Sequence, residues 1–370
     1  MNVPGSVYAE SLQNLTLKGA SVSMFHSFSS RTVMFFCILS FSLIHLCGCH
    51  AAPSETTAAV QTTEEAEDAL TISSDDNIYY LSVASSSDIL LPDEWECSDG
   101  KIIKLIKYPY SELGSDRKLV QGCQAGKISI YIGGTAVQTE LIPELALLDI
   151  PYIYSGKPDD FQDFSLSLME WMQPYYEKQD LLLLNWHMSA TNKVIMQEPV
   201  NSIEDFQKLK IRVMQNSERA EYWNSLGAET FLIPFDEIYY YLQYNKINAI
   251  DGGFWTLKEQ DYDLLNSFKY LMDIGFTSAT AFVMNLDEYN RLPASVQDGV
   301  KELSEEHMGR LPLAQYKELF QQFTYIDLND SILQTLKDNR QIVIDNLKNT
   351  LGDSTVSDFL LYTENLHDSE

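Results

Sequence analysis

Arg212 lies in the stretch FQKLKIRVMQ (206–215), between Ile211 and Val213, which read as one buried face of a β-strand. A permanently charged guanidinium among apolar neighbours is costly unless something pairs with it. Two readings follow: a charge satisfied by solvent or by an internal carboxylate, or a cation that waits for an anion. Further candidates stand at the ends of strand-like runs. Ser85 and Ser86 follow IYYLSVA (78–84), and Gly134 and Thr135 close the run KISIYIGG (127–134). Their amides and hydroxyls can bind carboxylate oxygens, although Gly and Ser at strand ends also serve as plain turn residues. Phe235, Phe254 and Trp255 offer aromatic surface to a ligand or to the core. Asp251 reads as a loop brace rather than an anion contact.

Catalytic signatures are missing. The sequence has no GxSxG, HExxH, GxxxxGK[ST] or CxxC, and His50, His187, His307 and His367 are scattered. His187, in NWHMSA, is the one nearest the candidate residues and reads as a locally hydrogen-bonded histidine. No cofactor is expected, and no ligand cluster demands a metal.

The elements that must position these residues alternate strand and helix. IYYLSVA (78–84), KIIKLIKYP (101–109) and KISIYIGG (127–134) read as strands, with a helix from about Ser115 to Ala125 between the last two. The pattern returns in KLKIRV, a helix through NSERAEYWNSLGAE capped by Ser217, TFLIPF (230–235), a helix from Asp236 to Tyr244, and KINAIDGG (246–253). The runs QAGKISIYIGG and QYNKINAIDGG match at Gln, Lys, Ile and both glycines, which suggests two lobes of related construction. Beyond residue 285 a loop leads into a long helix, with Pro293 in its first turn. DSILQTLKDNRQIVIDNLKNTLGD reads as a second long amphipathic helix ended by Gly352, suited to brace a hinge. Open α/β sheets bind ligands beyond the carboxyl ends of their strands, because loop amides and helix N-termini converge there.

Composition narrows the partners. The chain has 370 residues with 25 basic and 53 acidic side chains, a formal net charge of −28. Nucleic acid and anionic lipid surfaces would be repelled. A small anionic ligand is still admissible, since surface charges are screened beyond roughly 8 Å at physiological salt. The N-terminus reads as an address: Arg31 precedes an apolar run (32–46), followed by LCGC, in which Cys49 is the expected lipidation site. The run is short for a membrane span, which needs about 20 residues. Met24 is the expected true start, with residues 1–48 as leader and lipoprotein signal peptide. Residues 49–77, rich in Ala, Thr, Ser and acid, read as a flexible tether. Cys97 and Cys123 remain as a possible extracytoplasmic disulfide.

LIPELALLDIPYIY (141–154), VNSIEDFQKLKIRV (200–213), LGAETFLIPFDEIYYYLQYNKINAIDG (226–252) and NRLPASVQDGVKEL (290–303), in that order, resemble the solute-binding proteins of TRAP transporters, the DctP type. The resemblance covers roughly residues 78–350. It implies an α/β, two-lobed, periplasmic-binding-protein-like clamshell with crossing strands and a long hinge-spanning helix. It implies a non-enzymatic, monomeric carrier that captures a small organic acid outside the membrane and hands it to TRAP permease subunits. Lobe I would comprise 78–189 plus 278–312, and lobe II 190–277 plus 313–370. Arg212 takes the place of the arginine that pairs with the substrate carboxylate. Three departures alter the expected cleft: Thr191 stands where a second arginine is common, DGGFW replaces the usual acid with Phe254 before Trp255, and the helix after the first strand is abbreviated. One arginine beside these aromatics suits a monocarboxylate with an apolar or aromatic body better than a dicarboxylate. A ligand-sensing lipoprotein and an extracytoplasmic enzyme are the alternative functions.

Overall fold

The computed structural model describes residues 73–75, 77–154, 160–189, 192–252, 263–310 and 320–368. The leader, Cys49, Thr191, Phe254 and Trp255 lie outside them. Thirteen strands among the described residues form two mixed sheets. The first sheet contains β1 (Ser73–Asp75), β2 (Ile78–Ser85), β3 (Glu94–Glu96), β4 (Ile102–Tyr108), β5 (Ile130–Gly134), β6 (Leu181–Ser189) and, far along the chain, β12 (Ser278–Asn285). Its order is β3-β4-β2-β5-β12-β6, with β1 added on β2. The second contains β7 (Asn192–Met196), β8 (Lys210–Val213), β9 (Glu229–Leu232), β10 (Ala249–Asp251), β11 (Tyr270–Ile274) and β13 (Thr324–Tyr325), in the order β13-β11-β7-β10-β8-β9.

The chain leaves the first sheet at the end of β6 and enters the second at β7; it returns from β11 to β12. These are the crossing strands the sequence leads one to expect. In the first sheet β2 runs parallel to β4 and β5, and in the second β8 runs parallel to β9 and β10. Parallel strands covered on both faces read as unbroken apolar runs. Leu81–Ser85 of β2 and Ala249–Asp251 of β10 are accordingly buried at every position. The same holds for Ile211, Arg212 and Val213, so Arg212 has no solvent face to turn to.

Helices fill the outer layers. α1 (Asp116–Gln124) buries Leu119, Val120 and Cys123 against the first sheet, and α2 (Phe161–Glu177) packs on β6. α3 (Ser217–Ser225) buries Ala220 and Trp223, with Leu226 at its C-cap. Its N-cap is Asn216, whose side chain accepts from the Arg219 amide, rather than Ser217. Residues Phe235–Glu237 form a 3-10 turn that delays α4 until Ile238–Gln243, so Asp236 is not its cap. α5 (Leu286–Arg291) precedes α6 (Ala294–Arg310). The single long helix expected over 330–351 is interrupted at Asn339, giving α7 (Asp330–Asp338) and α8 (Arg340–Leu351) before α9 (Asp353–Asp368). α8 touches both α3 and the 3-10 segment Pro143–Asp149, and α9 lays Phe359 and Tyr362 on Trp171 of α2. The C-terminal helices therefore reach elements of both sheets.

The proposed disulfide does not form. Cys97 and Cys123 are both reduced and buried, and they belong to separate cores. Cys97 packs with Ile103 and Leu81, while Cys123 shares the other core with Tyr131. Ile130 and Ile132 face the first of these cores and Tyr131 the second, so the sheet itself stands between the two thiols.

Candidate functional site

The two parallel strand trios aim their C-terminal ends at one cleft, as strand-end chemistry requires. From the first sheet come Ser86 and Ser87 after β2, Gly133 to Ala136 at the end of β5, and Asp116 at the start of α1. From the second come Arg212, Met214, Arg219 and Phe235, and Thr277 to Thr280 supply the return crossing. The empty space, solvent at the mouth included, is about 780 Å³.

Arg212 is 1% exposed. β8 lies between β9 and β10, and the side chain reaches the exits of both neighbours. Nε donates to the Ile233 carbonyl at 3.1 Å and Nη1 to the Gly252 carbonyl at 3.1 Å. A guanidinium has five N–H donors, so these two bonds fix its plane and leave others for a partner. Among the described residues no carboxylate lies within ion-pair distance of it. Burial drives its pKa down to about 10, opposed by the fields of Asp251 and Asp116. It remains a cation at neutral pH, held at a cost that an incoming anion would relieve.

Arg219 is buried like Arg212 but matched. It pairs with Asp149, donating through Nε at 3.0 Å and through Nη2, and with Asp251 through Nη1 at 3.3 Å. Burial pulls its pKa down, but the two carboxylates outweigh that and raise it. Asp149 also accepts from Asn216 at 2.6 Å, and Asp251 accepts from Trp223 Nε1 at 2.7 Å and from Asn192. Asp251 is thus the brace its sequence context implies. Gly252, with φ of +66°, turns the chain directly after it, and a Cβ there would meet the Asn192 amide at 2.9 Å.

Asp116 lies across the cleft from Arg212. The Tyr131 hydroxyl donates to its Oδ1 at 2.8 Å. That ring folds over Gly133, where a Cβ would sit 1.9 Å from the hydroxyl, so only glycine admits the pairing. Burial raises the Asp116 pKa, and hydrogen bonds from Tyr131 and Ser86 oppose the rise.

Of the residues singled out in the sequence, Arg212, Ser86, Gly134, Thr135 and Phe235 line the cleft. Ser85 does not: it is buried beneath the loop, where its hydroxyl meets that of Ser87 at 3.1 Å. Thr135 lines the cleft with its hydroxyl already turned to the Ala279 carbonyl at 3.4 Å. Ser87, Asp116, Asp149, Arg219 and Met214 went unnoticed in the sequence. Asp116 and Arg219 carry a faint signal, as charged residues on helices that bury much of their surface. His187 is partly buried on β6, and burial lowers its pKa. Among the described residues no His, Cys, Asp or Glu cluster could hold a metal, and no helix is long and apolar enough to cross a membrane.

The comparisons with known proteins agree with this geometry. The chain is 27% identical over 245 residues to the ectoine-binding periplasmic protein TeaA of Halomonas elongata, covering 62% of this chain and 71% of that one. It is 27% identical over 213 residues to the ectoine/5-hydroxyectoine-binding periplasmic protein UehA of Ruegeria pomeroyi, covering 56% and 62%. Its fold matches that of a TRAP periplasmic solute-binding protein from Desulfovibrio salexigens with bound orotic acid. There the TM-score is 0.67 at 16% identity, over 78% of this chain and 99% of that one. The profile of the bacterial extracellular solute-binding proteins, family 7 (DctP), matches residues 91–348. The chain belongs to that family.

Proposed function

We propose that this protein binds a small organic acid in the cleft between its two sheets and delivers it, outside the cytoplasm, to the membrane subunits of a TRAP-type secondary transporter. It acts by capture and release, without turnover. The observation that carries the reading is Arg212: a buried cation with two main-chain contacts, no carboxylate partner among the described residues and a cleft beside it. A carboxylate supplies the missing counter-charge through two parallel hydrogen bonds. Relatives named for periplasmic solutes, and a structural neighbour holding orotic acid, support the class of ligand.

In this reading lobe I (78–189 plus 278–312) closes on lobe II (190–277 plus 313–370) around the crossings. Phe235 contributes apolar wall, and Ser86, Gly134 and Thr135 contribute polar edge. Cys49 carries the lipid that holds the monomer to the outer face of the membrane through the 49–77 tether. A ligand that binds only the folded state raises apparent stability by about 2.7 kcal/mol at a hundredfold excess over Kd. The test is a thermal-shift screen of carboxylic acids followed by calorimetry on Arg212→Ala. Two charged hydrogen bonds at about 1.5–3 kcal/mol each predict a loss of roughly two orders of magnitude or more in affinity. Unchanged affinity would remove Arg212 from the site.

A further inference from the structure

Gly134 has no conformational reason to be glycine. It ends β5 at φ −62° and ψ 141°, a backbone that any residue adopts. A Cβ placed there would meet a single atom within 4 Å among the described residues, and that atom comes from the other sheet: Cε of Met214, at 3.1 Å. Met214 follows β8 directly, two residues beyond Arg212, and both line the cleft. Its side chain therefore spans the cleft from the second sheet to the first, and the missing Cβ of Gly134 is what leaves room for its methyl.

Both ends of this span are fixed. The Gly134 carbonyl accepts from Gln138 Nε2 at 3.1 Å and the Gly133 carbonyl from the same group at 3.3 Å, while Gln138 Oε1 accepts from the buried Tyr176 hydroxyl at 3.0 Å. The Met214 carbonyl accepts from the Asn216 amide at 2.6 Å, and the Asn216 side chain is itself bound to Asp149. With the backbone held on each side, the thioether chain is the part that can adjust. Met214 and Gly134 are each half-buried, so they meet at the cleft and not within a core. An unbranched, polarisable side chain suits an apolar contact of this kind. Two residues of extended chain separate Met214 from Arg212 by roughly 7 Å. A carboxylate paired with Arg212 thus brings the carbons of its body up against the thioether.

We infer that Met214 sets the length of acid the cleft accepts: its side chain, seated on Gly134, walls off the space beyond the first carbons of a ligand held by Arg212. This rests on the carboxylate reading above and adds what bounds the body of the acid. Truncation of Met214 to alanine removes Cγ, Sδ and Cε and opens the wall. An alanine at 134 does the reverse, because its methyl displaces the Met214 methyl into the space of the ligand.

Calorimetry on the full chain tests it with two series that keep the carboxylate and lengthen the body: the straight-chain acids from propanoate to octanoate, and benzoate, phenylacetate and hydrocinnamate. Wild type is expected to favour the shorter members. In Met214→Ala the preference moves to longer ones, by roughly tenfold in the ratio of affinities, since each added methylene that finds apolar cover contributes about fourfold. Gly134→Ala weakens the longer members severalfold, and that effect disappears when Met214→Ala is also present. Wild-type protein that binds the longest members as tightly as the shortest overturns the inference and leaves the carboxylate reading standing. So does a length profile unchanged in Met214→Ala, or a Gly134→Ala effect equal in both backgrounds. If no acid of either series binds the wild type, the carboxylate reading falls and the inference with it. The Met214→Ala profile decides the matter even if Gly134→Ala folds poorly.

Discussion

Arg212 and Arg219 are equally buried, yet the structure assigns them opposite roles in stability. Replacing each by Met separates the two. Arg219→Met leaves Asp149 and Asp251 inside the protein without their cation. Breaking a buried pair from one side costs about 3–5 kcal/mol. Asn216 still donates to Asp149, and Trp223 and Asn192 to Asp251, so the low end, about 3 kcal/mol, applies. Arg212→Met removes a cation whose pKa burial depresses to about 10, below the usual guanidinium range. At 1.36 kcal/mol per unit its burial costs up to about 3 kcal/mol in the empty protein. Against that, the Ile233 and Gly252 carbonyls lose their donors, at about 1 kcal/mol each. The two sides nearly cancel. Chemical denaturation of the ligand-free protein should therefore show Arg219→Met less stable by about 3 kcal/mol, with Tm lower by roughly 5 °C. Arg212→Met should stay within about 1.5 kcal/mol of the parent, while ligand-induced stabilisation disappears. If Arg212→Met is as damaging as Arg219→Met, Arg212 is a structural residue and the cleft has lost its anchor.

Two further outcomes are open to simple assays. His307 is 1% exposed, its Nδ1 has no partner among the described residues, and burial holds its pKa down to about 4. Below about pH 6.5 the unfolded chain takes up a proton that the native state refuses, so stability falls on acidification through that window, by about 2 kcal/mol at pH 5. In His307→Leu the loss between pH 7 and pH 5, read by urea denaturation, should shrink by that amount; an identical pH dependence contradicts the burial argument. Cys49→Ser should move the protein from the membrane fraction to the soluble one, and retention in the membrane fraction would dismiss the lipid anchor.

What could be read from the sequence follows from how local the signals are. The strands at 78–84, 101–109 and 210–213 announce themselves because at least one face of each is apolar, and Arg212 stands out because it carries a charge between Ile211 and Val213. The cleft's polar rim was half legible: Ser86, Gly134 and Thr135 follow strands, but Ser85, one position earlier, is still strand and turns inward. The helix break at Asn339 left no trace, since Ile332, Leu336, Val343 and Leu347 keep a helical spacing across it and no Gly or Pro marks the site. Asp116 and Arg219 were hidden for a different reason. An acid in a first helical turn and an arginine in a short helix are ordinary surface residues until their partners are known, and those partners, Tyr131, Asp149 and Asp251, come from other elements.

Those long-range pairings also explain why two such similar arginines diverge in use. Asp149 belongs to the segment after β5, whereas Asn216 and Arg219 flank and form α3 after β8, so their bonds tie elements that follow strands of the two sheets. The Thr277 hydroxyl adds a bond to the Leu148 carbonyl at 2.8 Å, and the Thr277 carbonyl accepts from Arg219. This side of the cleft is satisfied without a ligand. The side at Arg212 is not, because its guanidinium is held by two strand-end carbonyls and by no carboxylate among the described residues. A ligand shifts a conformational equilibrium only by its differential affinity for the two states, so the proposed solute must gain contacts in the closed form that it lacks in the open one. In the proposed function, closure therefore rests on an asymmetry in pairing: Arg219 matched by two aspartates, Arg212 left for the solute.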